Sequence, residues 1–183
     1  ALLEGDDYWS CTDKLQRQAD FLDENPDCSF CYTNGIIFNE ESKTTKKSIT
    51  EKLPTKFSLN YFLNNNVNLL NNTKMFRASV HPSNPGDWFF ETVQWDWSLH
   101  CLHAANHSIG YLNFIGMHYR RHEKAFIISS NQINLLKSGL KSNVNLDKIL
   151  SYKYHYFFKV KWWYYEELML QYLSINDLVK AFY

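Results

Sequence analysis

The sequence has no surplus of charge of either sign. Nineteen lysines and arginines face 19 aspartates and glutamates over 183 residues, a formal net charge of zero. Proteins that hold nucleic acid usually carry a basic excess, since each phosphate contact draws on a lysine or arginine, so a nucleic-acid partner is not expected. Also missing is an uncharged apolar run long enough to span a bilayer, which takes roughly 20 residues. The mean hydropathy of -0.43 fits a soluble chain. No second CxxC pair accompanies Cys28 and Cys31, as a zinc ribbon requires, and this pair lies in a β-like run, CSFCYTNGIIF, rather than at a helix start. Cys11, Cys28, Cys31 and Cys101 therefore read as ordinary thiols of a reducing compartment. Neither a signal-peptide pattern nor an internal repeat is present, and a cytoplasmic location is expected.

What is present is aromatic: 17% of the residues, too many for a low-hydropathy disordered chain. The length suits one compact domain, or most of one. Ala1-Leu2-Leu3 runs straight into an acidic cluster and reads as the end of a buried strand, so the chain is expected to be a piece of a longer protein.

Patterning predicts the following elements. Residues 1–4 read as a strand end and 5–10 as a loop. Thr12 is placed to cap a helix over 13–24, with Leu15, Ala19 and Leu22 on one apolar face, stopped by Pro26. A strand is expected over 28–38 and a mobile polar loop over 39–56. Ser58 caps a short helix reaching Asn64, and a strand follows near 73–80. A helix over 96–105 carries Trp95, Leu99 and Leu102 on one side. Residues 109–119 are apolar on both alternations and read as a strand covered on two faces. From Gln132 onward the chain is mostly helical. Phe158, Trp162, Tyr165, Met169 and Tyr172 recur there at helical spacing, and Ser174 with Asp177 fits a capping box. Strands alternating with helices give an α/β class.

Three constellations bear chemistry. Glu4, Asp6 and Asp7 cluster around Gly5 after an expected strand end, where α/β folds place ligands. Carboxylates of this kind suit Mg2+ or Mn2+; they equally suit an acidic turn whose aspartates bond their own backbone. Trp95-Asp96-Trp97 opens a helix. Asp96 is either an N-cap or a general base between two indoles. His118-Tyr119-Arg120-Arg121-His122 ends the buried strand, as a phosphate and metal site or as a solvated basic end.

In this order the segments resemble the family 2 glycosyltransferases of the GT-A fold. LEGDDYW resembles the family's DxD metal motif. DKLQRQADFLDENPD resembles its KLxxQxxFLxxNP helix, MFRAS the segment ahead of the acceptor region, WDWSL its Asp-Trp catalytic segment, and YRRHEKA its YRxH segment. The resemblance covers residues 1–126 and implies the C-terminal portion of a GT-A domain, a Rossmann-like mixed sheet with flanking helices. Residues 127–183 form a helical extension outside it. The family half that holds the nucleotide base is not represented in the match, so the chain taken alone is expected to bind a donor weakly.

The resemblance implies an inverting transfer from a nucleotide-sugar to a glycan or lipid-linked acceptor, with a divalent metal (Mn2+ or Mg2+) as cofactor. Asp6, and His122 with it, would hold the metal. Glu4, Asp6, Asp7, Arg120 and Arg121 would bind the donor. Asp96 would be the catalytic base, and Trp95 and Trp97 would line the acceptor site. Glu4 departs from the family's usual Asp at the first position of DxD. The other function class is a non-catalytic carbohydrate-binding or scaffolding domain, in which Trp88, Trp95 and Trp97 stack on sugars. Residues 154–165, YHYFFKVKWWYY, mix rings with lysines and suit either core packing or a peripheral contact with the inner face of a membrane.

Overall fold

The computed structural model describes residues 1–65, 67, 69–82, 85–93, 95–122 and 132–175. The elements follow in the order β1 (Tyr8–Trp9), α1 (Lys14–Glu24), β2 (Cys28–Asn39), β3 (Thr44–Lys47), β4 (Lys56–Phe57), α2 (Leu59–Asn64), β5 (Lys74–Phe76), α3 (Asp87–Phe90), α4 (Trp95–Ala104), β6 (Ser108–Arg121), α5 (Gln132–Ile149) and α6 (His155–Ile175). Short 3-10 turns at Asn71–Thr73 and Ala78–Val80 flank β5. The class is α/β: a mixed, open sheet with flanking helices. The described residues divide into two compact units, Ala1–Pro82 with His103–Ile128, and Ser83–Leu102 with Ser129–Tyr183.

The first unit is built on two long parallel strands, β2 and β6. Along the other edge of β6, β4 pairs near its start and β1 near its end, both antiparallel. Along the other edge of β2, β5 and β3 do the same. The first eight residues of β2, through Gly35, are all buried, as expected for a strand covered on both faces. Gly110 permits the close approach of α1, because a Cβ there would collide with the Phe21 ring.

The α1 helix forms where periodicity places it but turns a different face inward. Lys14, Gln18 and Leu22 are buried, whereas Leu15 is 40% exposed. The cause is polar. The Gln18 side-chain amide donates to the carbonyl oxygens of Thr73 (2.9 Å) and Cys31 (3.4 Å). The Lys14 ammonium donates to Gln18 Oε1 at 2.7 Å and lies 4.6 Å over the Trp9 ring. Burial pushes the Lys14 amine down to about 8. Asp13, not Thr12, takes the cap position, and its side chain makes no cap bond. At the far end Arg77 donates to the carbonyl oxygens of Leu22, Asn25 and Cys28, which ties the helix terminus to β2.

Several expectations are corrected. Residues 1–4 are not a strand, and the strand pairing begins at Tyr8. The stretch 39–56 is not a plain loop: Thr44–Lys47 folds back on Ile36–Asn39 as β3. Asn39 sets the turn, its Oδ1 accepting the backbone N–H groups of Glu41 and Ser42 at 2.9 Å. The whole of β3 is exposed, so it has no buried face to give it an apolar alternation. The strand expected over 73–80 is three residues long. Ser58 does cap α2, its Oγ accepting the N–H of Tyr61. All four cysteines are free, and Cys28, Cys31 and Cys101 are buried. The Ser174–Asp177 capping box lies outside the described residues.

In the second unit α5 ends in a Schellman motif. The N–H of Ser151 reaches the carbonyl of Lys148 (3.0 Å) and that of Tyr152 reaches Asp147 (2.8 Å). Ser151 and Tyr152 adopt positive φ of 51° and 60° to do so. The turn brings the ring of His155 to the buried carboxylate of Asp147, with Nδ1 2.6 Å from Oδ2. Leu146 and Phe158 are fully buried. No helix of the described residues is long and apolar enough to cross a membrane.

One histidine makes a prediction possible. His103 is 1% exposed, packed against Phe76 and Phe30, with its Nε2 3.0 Å from His81 Nδ1. Burial, then the charges of His81 and His107, push its ring down to about 4. The unfolded ring binds a proton near pH 6.5, so between about 6.5 and 4 only the unfolded chain is protonated at this site. Stability owed to His103 is thus complete above pH 6.5 and is lost on acidification to about 4, at about 1.4 kcal/mol per pH unit. Urea unfolding at a series of pH values should show this slope in the native protein and a shallower one in His103→Phe.

Candidate functional site

Strand pairing assembles the site. Tyr8 lies opposite His118 and Trp9 opposite Met117, so the acidic residues before Tyr8 continue beside the last residues of β6. Asp7 makes the join. Its Oδ1 accepts the backbone N–H of Arg120 at 2.8 Å, and its Oδ2 accepts the side-chain amide of Asn72. Burial lifts the Asp7 carboxyl above its usual range; the bonds from Arg120 and Asn72 pull it back, and the charges of Asp6 and Glu4 push it up again.

The turn closes through a 3.2 Å bond from the Asp7 N–H to the Glu4 carbonyl. Glu4 is anchored by two asparagines. Its N–H donates to Asn72 Oδ1 (2.8 Å), and its carboxylate accepts from Asn71 (3.0 Å) and Asn72 (3.3 Å). Asn72 also offers its carbonyl to the Trp9 indole at 3.0 Å. Asp6 is exposed, with Oδ2 3.3 Å from His122 Nε2. The Tyr119 phenol is held above its ordinary range by burial and by Asp7, Glu4 and Asp6.

Glu4, Asp6 and Asp7 each present a carboxylate oxygen within 4.8 Å of the others. The donor set is oxygen-rich with one imidazole alongside, which fits a hard divalent cation of the Mg2+ or Mn2+ kind. The three donors are not equivalent. Both oxygens of Asp7 and both of Glu4 already accept hydrogen bonds, whereas Asp6 is exposed, with His122 as its hydrogen-bond partner among the described residues. Asp6 is therefore the carboxylate least engaged by its neighbours, and Asp7 is the residue that fixes the turn.

The structure thus brings together Glu4, Asp6, Asp7, Arg120, Arg121 and His122 at one strand end. The Arg120 guanidinium turns to Glu40 instead, with contacts of 2.8 and 2.5 Å, because the parallel pairing ends β2 and β6 side by side. Arg121 is exposed at the last position of β6. Trp95, Asp96 and Trp97 belong to the second unit. Asp96 is the second residue of α4 rather than its cap, is half-buried, and accepts the Trp97 N–H at 2.8 Å through Oδ1. Trp95 is 37% exposed, and Trp97 stacks on Phe157 with ring centroids 6.4 Å apart.

Asn72 and Tyr119 were not singled out as site residues by sequence reasoning. Tyr119 sits inside the HYRRH segment. Asn72 is one asparagine in the asparagine-rich run 64–72, and no spacing distinguishes it. The side-chain amide of Asn71 likewise goes to Glu4.

No family model matches the chain. An uncharacterized protein of Mycobacterium bovis and two of Mycobacterium tuberculosis are each 28% identical to it over 122 residues, 67% of this chain and 34% of each relative. The chain spans about a third of the length of these curated relatives.

Removing the Asn72 side chain should loosen the whole turn. Asn72→Ala leaves the buried Asp7 Oδ2 without its donor and is expected to cost about 2–3 kcal/mol in urea unfolding. Asn72→Asp should cost at least as much at pH 7, because it sets a third carboxylate against Glu4 and Asp7, and the deficit should shrink as pH is lowered through the carboxylate range.

Proposed function

We propose that the chain is part of a family 2 glycosyltransferase of the GT-A fold, an inverting, metal-dependent enzyme that moves a sugar from a nucleotide-sugar to a glycan or lipid-linked acceptor. The observation that carries this reading is the meeting of the acidic turn with the basic end of β6. Two segments that resemble the family's metal and YRxH motifs share one site, tied by the Asp7–Arg120 hydrogen bond. The open mixed α/β sheet supports the same reading.

In this reading Asp6 and His122 hold the divalent cation. Held there, such an ion would supply positive charge against the donor's diphosphate. The residues of the chain do the rest. Asp7 keeps the turn against β6, and Asn72 keeps Glu4 and Asp7 at a fixed spacing. Arg121, exposed at the strand end, offers its fork to a phosphate oxygen. Arg120 joins it when its guanidinium exchanges Glu40 for the phosphate. Asp96 takes the proton of the acceptor hydroxyl. The acceptor oxygen forms the new bond to the anomeric carbon as the bond to the diphosphate breaks, and the diphosphate leaves with that electron pair. A single displacement inverts the carbon. Trp95, whose ring is exposed, offers a face to the acceptor sugar, with Trp97 beside it on α4. In this reading the enzyme is cytoplasmic.

The test uses the full-length native protein and a panel of nucleotide-sugars. Release of nucleoside diphosphate should require Mn2+ or Mg2+. Asp96→Asn should lower turnover by at least about 100-fold, the lower range of general-base contributions, with donor binding retained. Asp6→Ala should abolish metal-dependent donor binding. Glycan binding without diphosphate release would favour a carbohydrate-binding module, which the exposed Trp95 would also serve.

A further inference from the structure

The turn after β2 reaches the end of β6. Glu40 follows Asn39, the last residue of β2, and its N–H donates to the Arg121 carbonyl at 2.9 Å. Asn39 Oδ1 holds the next two N–H groups of the turn, and Lys43 completes it at a positive φ of 55°. The turn thus places Glu40, while the bond from the Arg120 N–H to Asp7 Oδ1 places the main chain of Arg120. Between them the Arg120 Nε and Nη2 atoms both donate to Glu40 Oε1, at 2.8 and 2.5 Å. The contact lies at the surface, with the Arg120 side chain 44% exposed and that of Glu40 32%. It also shares the field of the acidic turn. The Glu40 carboxyl is held below its ordinary range by its bond to Arg120, and by the charges of Arg120, His122 and Lys43. The charges of Asp6 and Asp7 act in turn on Arg120.

We propose that Glu40 is a resident anion on Arg120, which the diphosphate of the donor must displace, and is therefore a residue that sets donor affinity. The inference rests on the reading of this strand end as a diphosphate site. It adds a residue that lies outside every segment resembling the family's motifs. A guanidinium gripped through two of its N–H groups presents to the carboxylate the same edge that it would present to a phosphate. Glu40 therefore competes with a phosphate for Arg120. One carboxylate brings one negative charge, so a singly charged anion replaces like with like, whereas a diphosphate brings more. The exchange is cheap, since an exposed ion pair contributes little, so Glu40 tunes the affinity and does not close the site. If the pair were only a strut between the ends of β2 and β6, neutralising Glu40 would leave anion affinity unchanged.

Calorimetric titration of pyrophosphate into the whole native protein in the presence of Mn2+ tests it. Glu40→Gln should bind pyrophosphate about two- to fivefold more tightly, the range that the loss of an exposed ion pair spans. Glu41→Gln removes the same charge from the next position of the turn and should leave the affinity close to native. Arg120→Ala should weaken binding and, combined with Glu40→Gln, should abolish the gain. The circular dichroism of the variants should match that of the native protein. Three results overturn the proposal while leaving the diphosphate reading in place: no gain in Glu40→Gln although the native protein binds pyrophosphate, equal gains in Glu40→Gln and Glu41→Gln, or a gain that survives Arg120→Ala. Failure of both the native protein and Glu40→Gln to bind pyrophosphate overturns the proposal and the diphosphate reading together.

Discussion

The carboxylate of Asp7 joins residues that lie 113 positions apart in the chain. One oxygen holds the backbone of Arg120 and the other holds Asn72, so a short acidic loop, a strand end and a 3-10 turn share one anchor. The anchor is buried, and a buried carboxylate is tolerated only where donors meet it. That requirement fixes Asn72, and through Asn72 it fixes Glu4. Asp6 is exposed and meets the half-buried His122, and of the three carboxylates it is the least tied to the turn.

The same constraint propagates through the sheet. β1 contributes only Tyr8 and Trp9, yet its pairing with β6 sets the depth at which the acidic turn sits. Trp9 in turn lies over Lys14 and donates its indole N–H to Asn72. Lys14 bonds Gln18, and Gln18 reaches the carbonyl of Thr73, the residue after Asn72. A ring of polar contacts therefore runs from α1 through the 3-10 turn to the acidic loop and back. This explains why α1 buries a lysine and a glutamine where its apolar pattern would bury Leu15.

Much of this was legible in the sequence, for identifiable reasons. β6 announces itself because a strand covered on both faces is apolar on both alternations, and β2 does so through the alternating Cys28, Phe30 and Tyr32. α2 does so because Ser58 supplies a cap that the structure uses. The acidic turn and the HYRRH segment were legible as charge clusters, though only the fold shows that they meet. β3 was not legible, since an exposed edge strand has no buried face to pattern. The inward face of α1 was not legible, because its burial rests on hydrogen bonds to carbonyls distant in sequence. Asn72 was not legible either, since nothing local separates it from its asparagine neighbours.

The divalent-metal and diphosphate site proposed above lies where the acidic turn meets the end of β6. Electron paramagnetic resonance of Mn2+ titrated into the native protein, with and without pyrophosphate, tests it most directly. Native protein should remove the free-ion Mn2+ signal saturably, and more tightly with pyrophosphate than pyrophosphate does alone; that loss should be absent in Asp6→Ala and weakened in His122→Ala. Equal Mn2+ binding in the native protein and Asp6→Ala, or none in either, would contradict it.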